Sequence, residues 1–371
     1  MIKSNYYYEI SRDIRDYPDA WCLVIFGGRN TGKTYSTLRN CIENKHIFVY
    51  AKRTIEDVKL ICAGANDKSK VSKYNVNLSP FKSLNRDFGW SIKPVMIYPG
   101  LGGFFETDLD GEPYGEPLGY IVAMSAITKF KGFDMSECDY LIFDEFVPKM
   151  FDRTIRSEGD QILELYKTVS RDREHRGMQP LKLICLANAD NCVSPTTQVL
   201  EITDTIVQMA LQKEAKIYIE DRGIFIHRII DNQDFMQKEK QSAIYRAMAD
   251  TQWGHMALDN DFAYNDFSNI KKIKLKNYTP LCKFIYKTKD YYIYYKDTGE
   301  YFVTDQLSNN KIRCYDLLKD NDQRAFFEDI VIDLMQTCKD DRVVFKYYSI
   351  YDVFLNYKKY YSKNETIYRN W

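Results

Sequence analysis

Residues 20–34 read Ala-Trp-Cys-Leu-Val-Ile-Phe-Gly-Gly-Arg-Asn-Thr-Gly-Lys-Thr. An unbroken apolar run from Ala20 to Phe26 suits a strand buried on both faces of a parallel sheet, because no position in it asks for solvent. The run stops at Gly27, and Lys33 to Glu43 then mixes small, apolar and polar residues as a helix does. Ile47-Phe48-Val49-Tyr50 follows as a second apolar run and completes a βαβ unit. Between the first strand and the helix, Gly27-Gly28-Arg29-Asn30-Thr31-Gly32-Lys33-Thr34 is a full match to the phosphate-binding loop pattern. Glycines there let backbone N–H groups converge on a phosphate at a helix N-terminus, where the helix dipole also favours an anion. Lys33 is then placed to neutralise the β- and γ-phosphates of ATP, and the Thr34 hydroxyl to ligate Mg²⁺. The plain alternative is a glycine-rich turn that only reverses the chain.

Working outward, Tyr140-Leu-Ile-Phe-Asp144-Glu145 is a short apolar strand that ends in two carboxylates. Open α/β sheets bind ligands at the carboxyl ends of their strands, so Asp144 is expected in the Mg²⁺ shell. Glu145, one residue on, is placed to polarise a water for attack on the γ-phosphate. That glutamate points to an ATPase rather than a phosphate-loop kinase. A further strand, Leu181 to Ala187, ends at Asn188, where an amide can sense the γ-phosphate or the water, or simply cap a turn. Arg29 in the loop, and Arg171 in Ser-Arg-Asp-Arg-Glu-His-Arg at 170–176, are candidates for the remaining transition-state charge. The bland reading of 170–176 is a solvated turn of internal ion pairs. Ile162, Leu165, Tyr166 and Val169 share one helical face just before it. Strands alternating with helices in this way predict an α/β domain with a mostly parallel core.

The stretch 66–117, rich in glycine and proline, reads as an insertion of loops and short antiparallel strands, including Ser91 to Tyr98, before the fold resumes at Tyr120. Lys216 to Ile219 and Gly223 to Ile230 read as two strands around an Asp-Arg-Gly turn. Gln233 to Thr251 contains no proline or glycine and is expected to be helical. Beyond residue 269 the chain becomes tyrosine-rich and strand-like at 283–286, 291–296 and 301–304, a meander closed by helices at 322–337 and 349–360. This gives a phosphate-loop ATPase domain over 1–235, a helical linker over 236–268 and a C-terminal domain over 269–371.

Hydrophobic residues at 45% and charged residues at 28% exclude a disordered, collagen-like or disulfide-stapled chain. Fifty-two Lys and Arg against 52 Asp and Glu leave no net charge to draw the molecule onto a polyanion, so nucleic-acid contact must be local or arise on assembly. Nine cysteines without a Cys-x-x-Cys pair, and four scattered histidines, predict reduced thiols and no zinc site. No apolar signal core opens the sequence and no run reaches the length of a membrane helix, so a soluble, intracellular protein without membrane contact is expected.

These elements, in this order, resemble the DNA-packaging ATPases of phi29-like tailed phages. Phe-Asp-Glu-Phe at 143–146, Thr-Val-Ser-Arg-Asp-Arg-Glu at 168–174 and Ile-Cys-Leu-Ala-Asn-Ala at 184–189 look like the family's segments, as does Trp-Gly-His-Met-Ala-Leu-Asp-Asn at 253–260. The likeness runs from about residue 20 to 305. It implies an additional-strand, catalytic-glutamate (RecA-like) ATPase domain, a small helical linker and an α+β domain similar to a degenerate ribonuclease-H-type nuclease. It also implies a pentameric ring in the host cytoplasm, docked transiently on the portal of a procapsid and absent from the mature virion, pumping double-stranded DNA with ATP and Mg²⁺. Whether a packaging RNA takes part stays open. Carried over by position, Lys33 and Thr34 fall on the phosphate loop, Asp144 and Glu145 on the Mg²⁺ and catalytic positions, and Arg171 on a trans-acting arginine. Lys131 matches a family lysine near the subunit boundary. A longer loop between Glu174 and Leu181 than the family pattern has leaves Arg173 or Arg176 as alternatives to Arg171.

For DNA, Lys149, Arg153 and Arg156 come first, because the state of Glu145 can move the loop that carries them. The second choice is 269–300, where eight lysines, Lys271, Lys272 and Lys274 among them, face three acidic residues. A solvated lysine face guarding a sheet edge explains that stretch equally well. The rival functions are a phosphate-loop helicase acting on single strands, and a nucleotide-dependent assembly switch without motor activity.

Overall fold

The computed structural model describes residues 7–63, 78–129, 132–148, 157–230, 233–248, 250–251, 262 and 265–361. The strand predicted before the glycine loop is β1 (Cys22–Gly27), buried at every position. It leads through the loop into α2 (Lys33–Glu43), after a short α1 (Ile10–Asp16), and α2 returns to β2 (Phe48–Lys52). Next come α3 (Ile55–Cys62), α4 (Lys82–Phe88), β3 (Ile92–Tyr98), β4 (Leu101–Thr107), β5 (Pro113–Ala123) and β6 (Tyr140–Asp144). Then α5 (Glu158–Ser170), β7 (Lys182–Asn188), α6 (Pro195–Val199), α7 (Thr203–Gln212), β8 (Lys216–Ile219) and β9 (Ile224–Arg228) complete the sheet.

The nine strands run in the order β3-β4-β5-β2-β6-β7-β1-β9-β8. From β5 to β9 every neighbouring pair is parallel, and antiparallel strands form both margins. Six central parallel strands buried on two faces explain why β1, β2, β6 and β7 are near-continuous apolar runs rather than alternating ones. Register sets the site. Gly27 pairs with Asn188, and Asp144 with Leu186, so the ends of β1, β7 and β6 reach one edge together.

Two sequence expectations are refined. The short antiparallel strands expected within 66–117 are present, with the one expected over 91–98 forming β3, and together with β4 it extends the same sheet; residues 66–77 lie outside the described residues. The boundary expected near Tyr120 lies inside β5, which is antiparallel to β4 and parallel to β2. A strand that alternates poorly at its start reads as loop, yet its edge pairing satisfies the backbone. The helical character expected over 233–251 is present but interrupted, as two short helices, α8 (Gln233–Glu239) and α9 (Ala243–Met248). The break falls at residues 240–242, and α9 starts after it with the Arg246 N–H donating to the Ser242 carbonyl at 3.0 Å.

By compactness the chain divides into Met1–Ile202 with Gln208–Tyr264, and Thr203–Val207 with Asn265–Trp371. The second unit holds β10 (Thr279–Tyr286), β11 (Lys289–Tyr295), β12 (Tyr301–Thr304), β13 (Arg313–Asp316) and β14 (Val343–Phe345), in the order β13-β10-β11-β12-β14. The first three form the antiparallel meander. Strands β13 and β14, too short to stand out in the sequence, add in parallel at the two margins. Phe284, Phe302, Phe326, Phe345 and Phe354 are buried in its core.

Candidate active site

Gly32 caps α2 with φ of 90°, a conformation that favours glycine, and a Cβ there would stand 3.1 Å from Cβ of Tyr7. Asn30, at φ 62°, makes the other left-handed step, which asparagine tolerates. Thr31 closes the loop on itself by donating its hydroxyl to the Gly28 carbonyl at 2.9 Å. From behind, the Tyr8 N–H donates to the Thr31 carbonyl at 2.9 Å.

Inside this loop the Lys33 ammonium, only 8% exposed, donates to the carbonyls of Gly27 at 2.9 Å and Gly28 at 2.8 Å. It also reaches Oδ1 of Asn188 at 3.4 Å. Burial pulls its pKa down from 10.5 to about 8, against the opposing pull of Asp144, Asp190 and Glu145. Because the folded value lies below the ordinary one, keeping Lys33 charged weakens folding below about pH 8, and that cost relaxes as pH rises from 8 to 10.5. A polyphosphate in the loop restores the charge. Nucleotide binding is therefore expected to take up a proton above pH 8. Calorimetry at pH 8.5 in buffers of different ionisation enthalpy reads that uptake, and equal heats in all buffers would count against it.

On the adjacent strand ends, the Thr34 hydroxyl donates to Oδ1 of Asp144 at 3.1 Å. Asp144 is half-buried, while Glu145 is exposed on the cleft rim with φ of 56°. A left-handed glutamate is a strained residue held at the end of a buried strand, and such strain concentrates at working sites. Arg29, Asn30, Thr31, Gly32, Lys33, Thr34, Asp144, Glu145 and Asn188 line one cleft of about 380 Å³. The loop, the two carboxylates and the asparagine named from the sequence thus converge. Mg²⁺ takes hard oxygens from one or two side chains and completes its shell with phosphate and water, which fits the Thr34 hydroxyl beside Asp144.

The arginines separate by environment. Arg171, at φ 39° after α5, donates Nη2 to the Phe133 carbonyl and stands 3.7 Å from Asp134. It does not line the cleft of its own chain. Arg173 is buried: Nε donates to the Gln179 carbonyl at 2.6 Å, Nη1 to those of Ser136 and Cys138, and Nη2 to Asp139. With four of its five donors engaged, it ties the loop down. Arg176 makes an exposed pair with Asp172 at 2.9 Å. Lys271, Lys272 and Lys274 are exposed in the second unit, ahead of β10. Lys131, Lys149, Arg153 and Arg156 lie outside the described residues.

Sequence reading missed two site residues on β2. The buried Tyr50 donates its hydroxyl to Oδ2 of Asp144 at 2.5 Å, and the Lys52 ammonium lies 3.8 Å from the same oxygen. Burial, then the Asp144 charge, pushes the phenol well above its usual pKa and keeps it a donor. The available signal was the neighbouring strand end: residues two apart on β2 face the same way, at the edge where Asp144 emerges.

The profile of the family described as Podovirus DNA encapsidation protein (Gp16) matches residues 112–335, more than half of the chain. The chain belongs to this family. It is 25% identical over 268 residues to a DNA packaging protein of Bacillus phage B103, covering 71% of this chain and 70% of that one. To the DNA packaging protein of Bacillus phage phi29 it is 28% identical over 243 residues, 64% of this chain and 61% of the relative. In fold it is similar to a chain of the bacteriophage Phi-29 viral genome packaging motor assembly, with a TM-score of 0.62 at 17% identity over 95% of this chain and 99% of that one. The Phi-28 gp11 DNA packaging motor gives 0.58 at 19% identity over 96% and 97%. Family membership places the protein among those that encapsidate phage DNA, and the α/β architecture is that of the packaging-motor chains.

Proposed function

We propose that the protein is the ATP-driven translocase that packages double-stranded DNA into a procapsid, working as a ring on the portal. The observation that carries this reading is the convergence of Lys33, Thr34, Asp144, Glu145 and Asn188 in one cleft of a DNA-encapsidation family member. β7 lies between the loop strand β1 and the Asp144 strand β6, the insertion expected of an additional-strand, catalytic-glutamate ATPase. In that site Lys33 and the loop amides hold the phosphates, and Thr34 and Asp144 hold Mg²⁺, which offsets phosphate charge. Glu145 orients the attacking water and accepts its proton. Asn188 hydrogen-bonds at the γ-phosphate end, and Arg171 of one subunit completes the site of the next. Arg29 on the loop and Lys131 at the subunit boundary supply further positive charge.

The division into 1–235, 236–268 and 269–371 is part of the same proposal. In the C-terminal part, the meander β10-β11-β12 with β13 added in parallel beside β10 follows the strand arrangement of a ribonuclease-H-like sheet. β10 itself carries Lys283, ion-paired with Asp290, and no carboxylate, which favours a degenerate nuclease acting as a contact domain. Exposed Lys271, Lys272 and Lys274 suit phosphate contact there, and Lys149, Arg153 and Arg156 suit it after Glu145. The work takes place in the host cytoplasm, on the procapsid.

The reading is tested by packaging itself. Procapsids carrying their portal, given this protein, genomic duplex and ATP, should protect full-length DNA from nuclease, and should not do so with a non-hydrolysable analogue. Protection with the analogue would favour the assembly switch, and unwinding of a forked duplex without protection would favour a helicase.

A further inference from the structure

The carboxylate of Asp144 is held from two sides. Oδ1 accepts the Thr34 hydroxyl and the Glu145 N–H, each at 3.1 Å, from the segments that would surround a nucleotide. Oδ2 accepts the Tyr50 hydroxyl at 2.5 Å, from a strand that contributes no other hydrogen bond to this carboxylate among the described residues. Tyr50 is 2% exposed, its ring edge-on to Phe104 with a centroid separation of 6.1 Å and the Lys52 ammonium 5.1 Å over its face. We propose that Tyr50 is a positioning residue that pins Oδ2 of Asp144 and thereby presents Oδ1 to the Mg²⁺–nucleotide. The proposal rests on the reading of the cleft as a Mg²⁺–ATP site.

The physical case begins with the freedom of an aspartate at the end of a strand. Its terminal torsion is broad and roughly two-fold, so either oxygen can take either role unless something outside the site distinguishes them. Lys52 alone does not distinguish them well, because an ammonium on a flexible stem attracts the group as a whole from 3.8 Å. A phenol on a buried ring is directional and neutral. It orders the carboxylate without cancelling the charge that Mg²⁺ needs. Register supports the pairing: Tyr50 lies beside Ile142 and Ala51 beside Phe143, so the phenol starts two residues short of Asp144 on the neighbouring parallel strand and on the same face of the sheet. Ligating carboxylates are commonly held by such outer partners, and losing one typically weakens metal binding about 10- to 100-fold.

Tyr50→Phe keeps the ring and removes only the donor. Binding of a fluorescent ATP analogue would be measured in EDTA and over a Mg²⁺ titration, with thermal melting to confirm the fold. The expected result is unchanged affinity in EDTA, within about twofold, and a Mg²⁺ half-point raised about 10- to 100-fold. An unchanged half-point would overturn the proposal, as would an equal loss with and without Mg²⁺, which would make the tyrosine part of the cleft wall. Lys52→Met, which leaves the phenol in place, should shift the half-point less than about threefold, on the same scale. A shift as large as that of Tyr50→Phe would assign the effect to charge instead. If the unsubstituted protein binds the analogue under neither condition, the cleft reading itself fails and takes this proposal with it.

Discussion

Glu145→Gln is expected to lower DNA-stimulated ATP hydrolysis by about 10²- to 10⁴-fold while leaving ATP binding within about threefold of the unsubstituted protein. The asymmetry follows from where the residue stands. Glu145 lines the cleft from its exposed rim, and among the described residues no hydrogen bond or ion pair joins its side chain to Lys33 or Thr34, the groups that grip the phosphates. Glutamine keeps the shape and the strained backbone turn at φ 56° and removes the negative charge, and with it the ability to accept a proton. Single-turnover hydrolysis beside equilibrium binding of a labelled nucleotide separates the two effects. Hydrolysis that survives within a factor of ten would move the base elsewhere. A matching loss of binding would mean that Glu145 holds the loop rather than the water. Lys33→Ala should behave oppositely, losing nucleotide affinity first, because its ammonium sits among the loop carbonyls.

The phosphate loop and the Asp144-Glu145 strand end were legible because each joins a buried apolar run to a few residues whose spacing is set by chemistry. β1, β6 and β7 needed no tertiary information, since strands buried on both faces advertise themselves. The rest was hidden for identifiable reasons. β5 begins among glycine and prolines, where pairing with β4 rather than composition decides the conformation. β13 and β14, four and three residues long, carry no period to detect. Tyr50 and Lys52 belong to a strand with no motif of its own, and they enter the site only because the sheet order puts β2 beside β6. The arginine-rich stretch shows the same limit: one of its three candidates, Arg173, is buried and bonded in place by partners distant in sequence.

That sorting of the arginines makes a subunit-mixing experiment sharp. Arg171→Ala alone is expected to reduce hydrolysis by about 10³- to 10⁵-fold, the range of arginine fingers. Arg173→Ala should fail differently: it leaves three carbonyls without their donor and Asp139 with its His46 contact alone among the described residues, and should cost about 3–5 kcal/mol of folding stability, visible by melting. Arg176→Ala breaks one exposed pair and should change little. Arg171 is held by one carbonyl and a loose pair with Asp134, contacts worth so little that a neighbouring site can compete for the guanidinium. If it acts in trans, mixing Arg171→Ala subunits with Glu145→Gln subunits brings a cleft with an intact glutamate against a neighbour with an intact arginine. Random mixing at equal ratio makes about a quarter of the head-to-tail interfaces competent. Hydrolysis should then rise well above that of either parent and peak near equal proportions. An arginine acting within its own chain gives no rescue at any ratio, since every Arg171→Ala cleft would stay incomplete whatever stood beside it. The mixing curve therefore also reports whether the catalytic unit is the single chain or the junction between two.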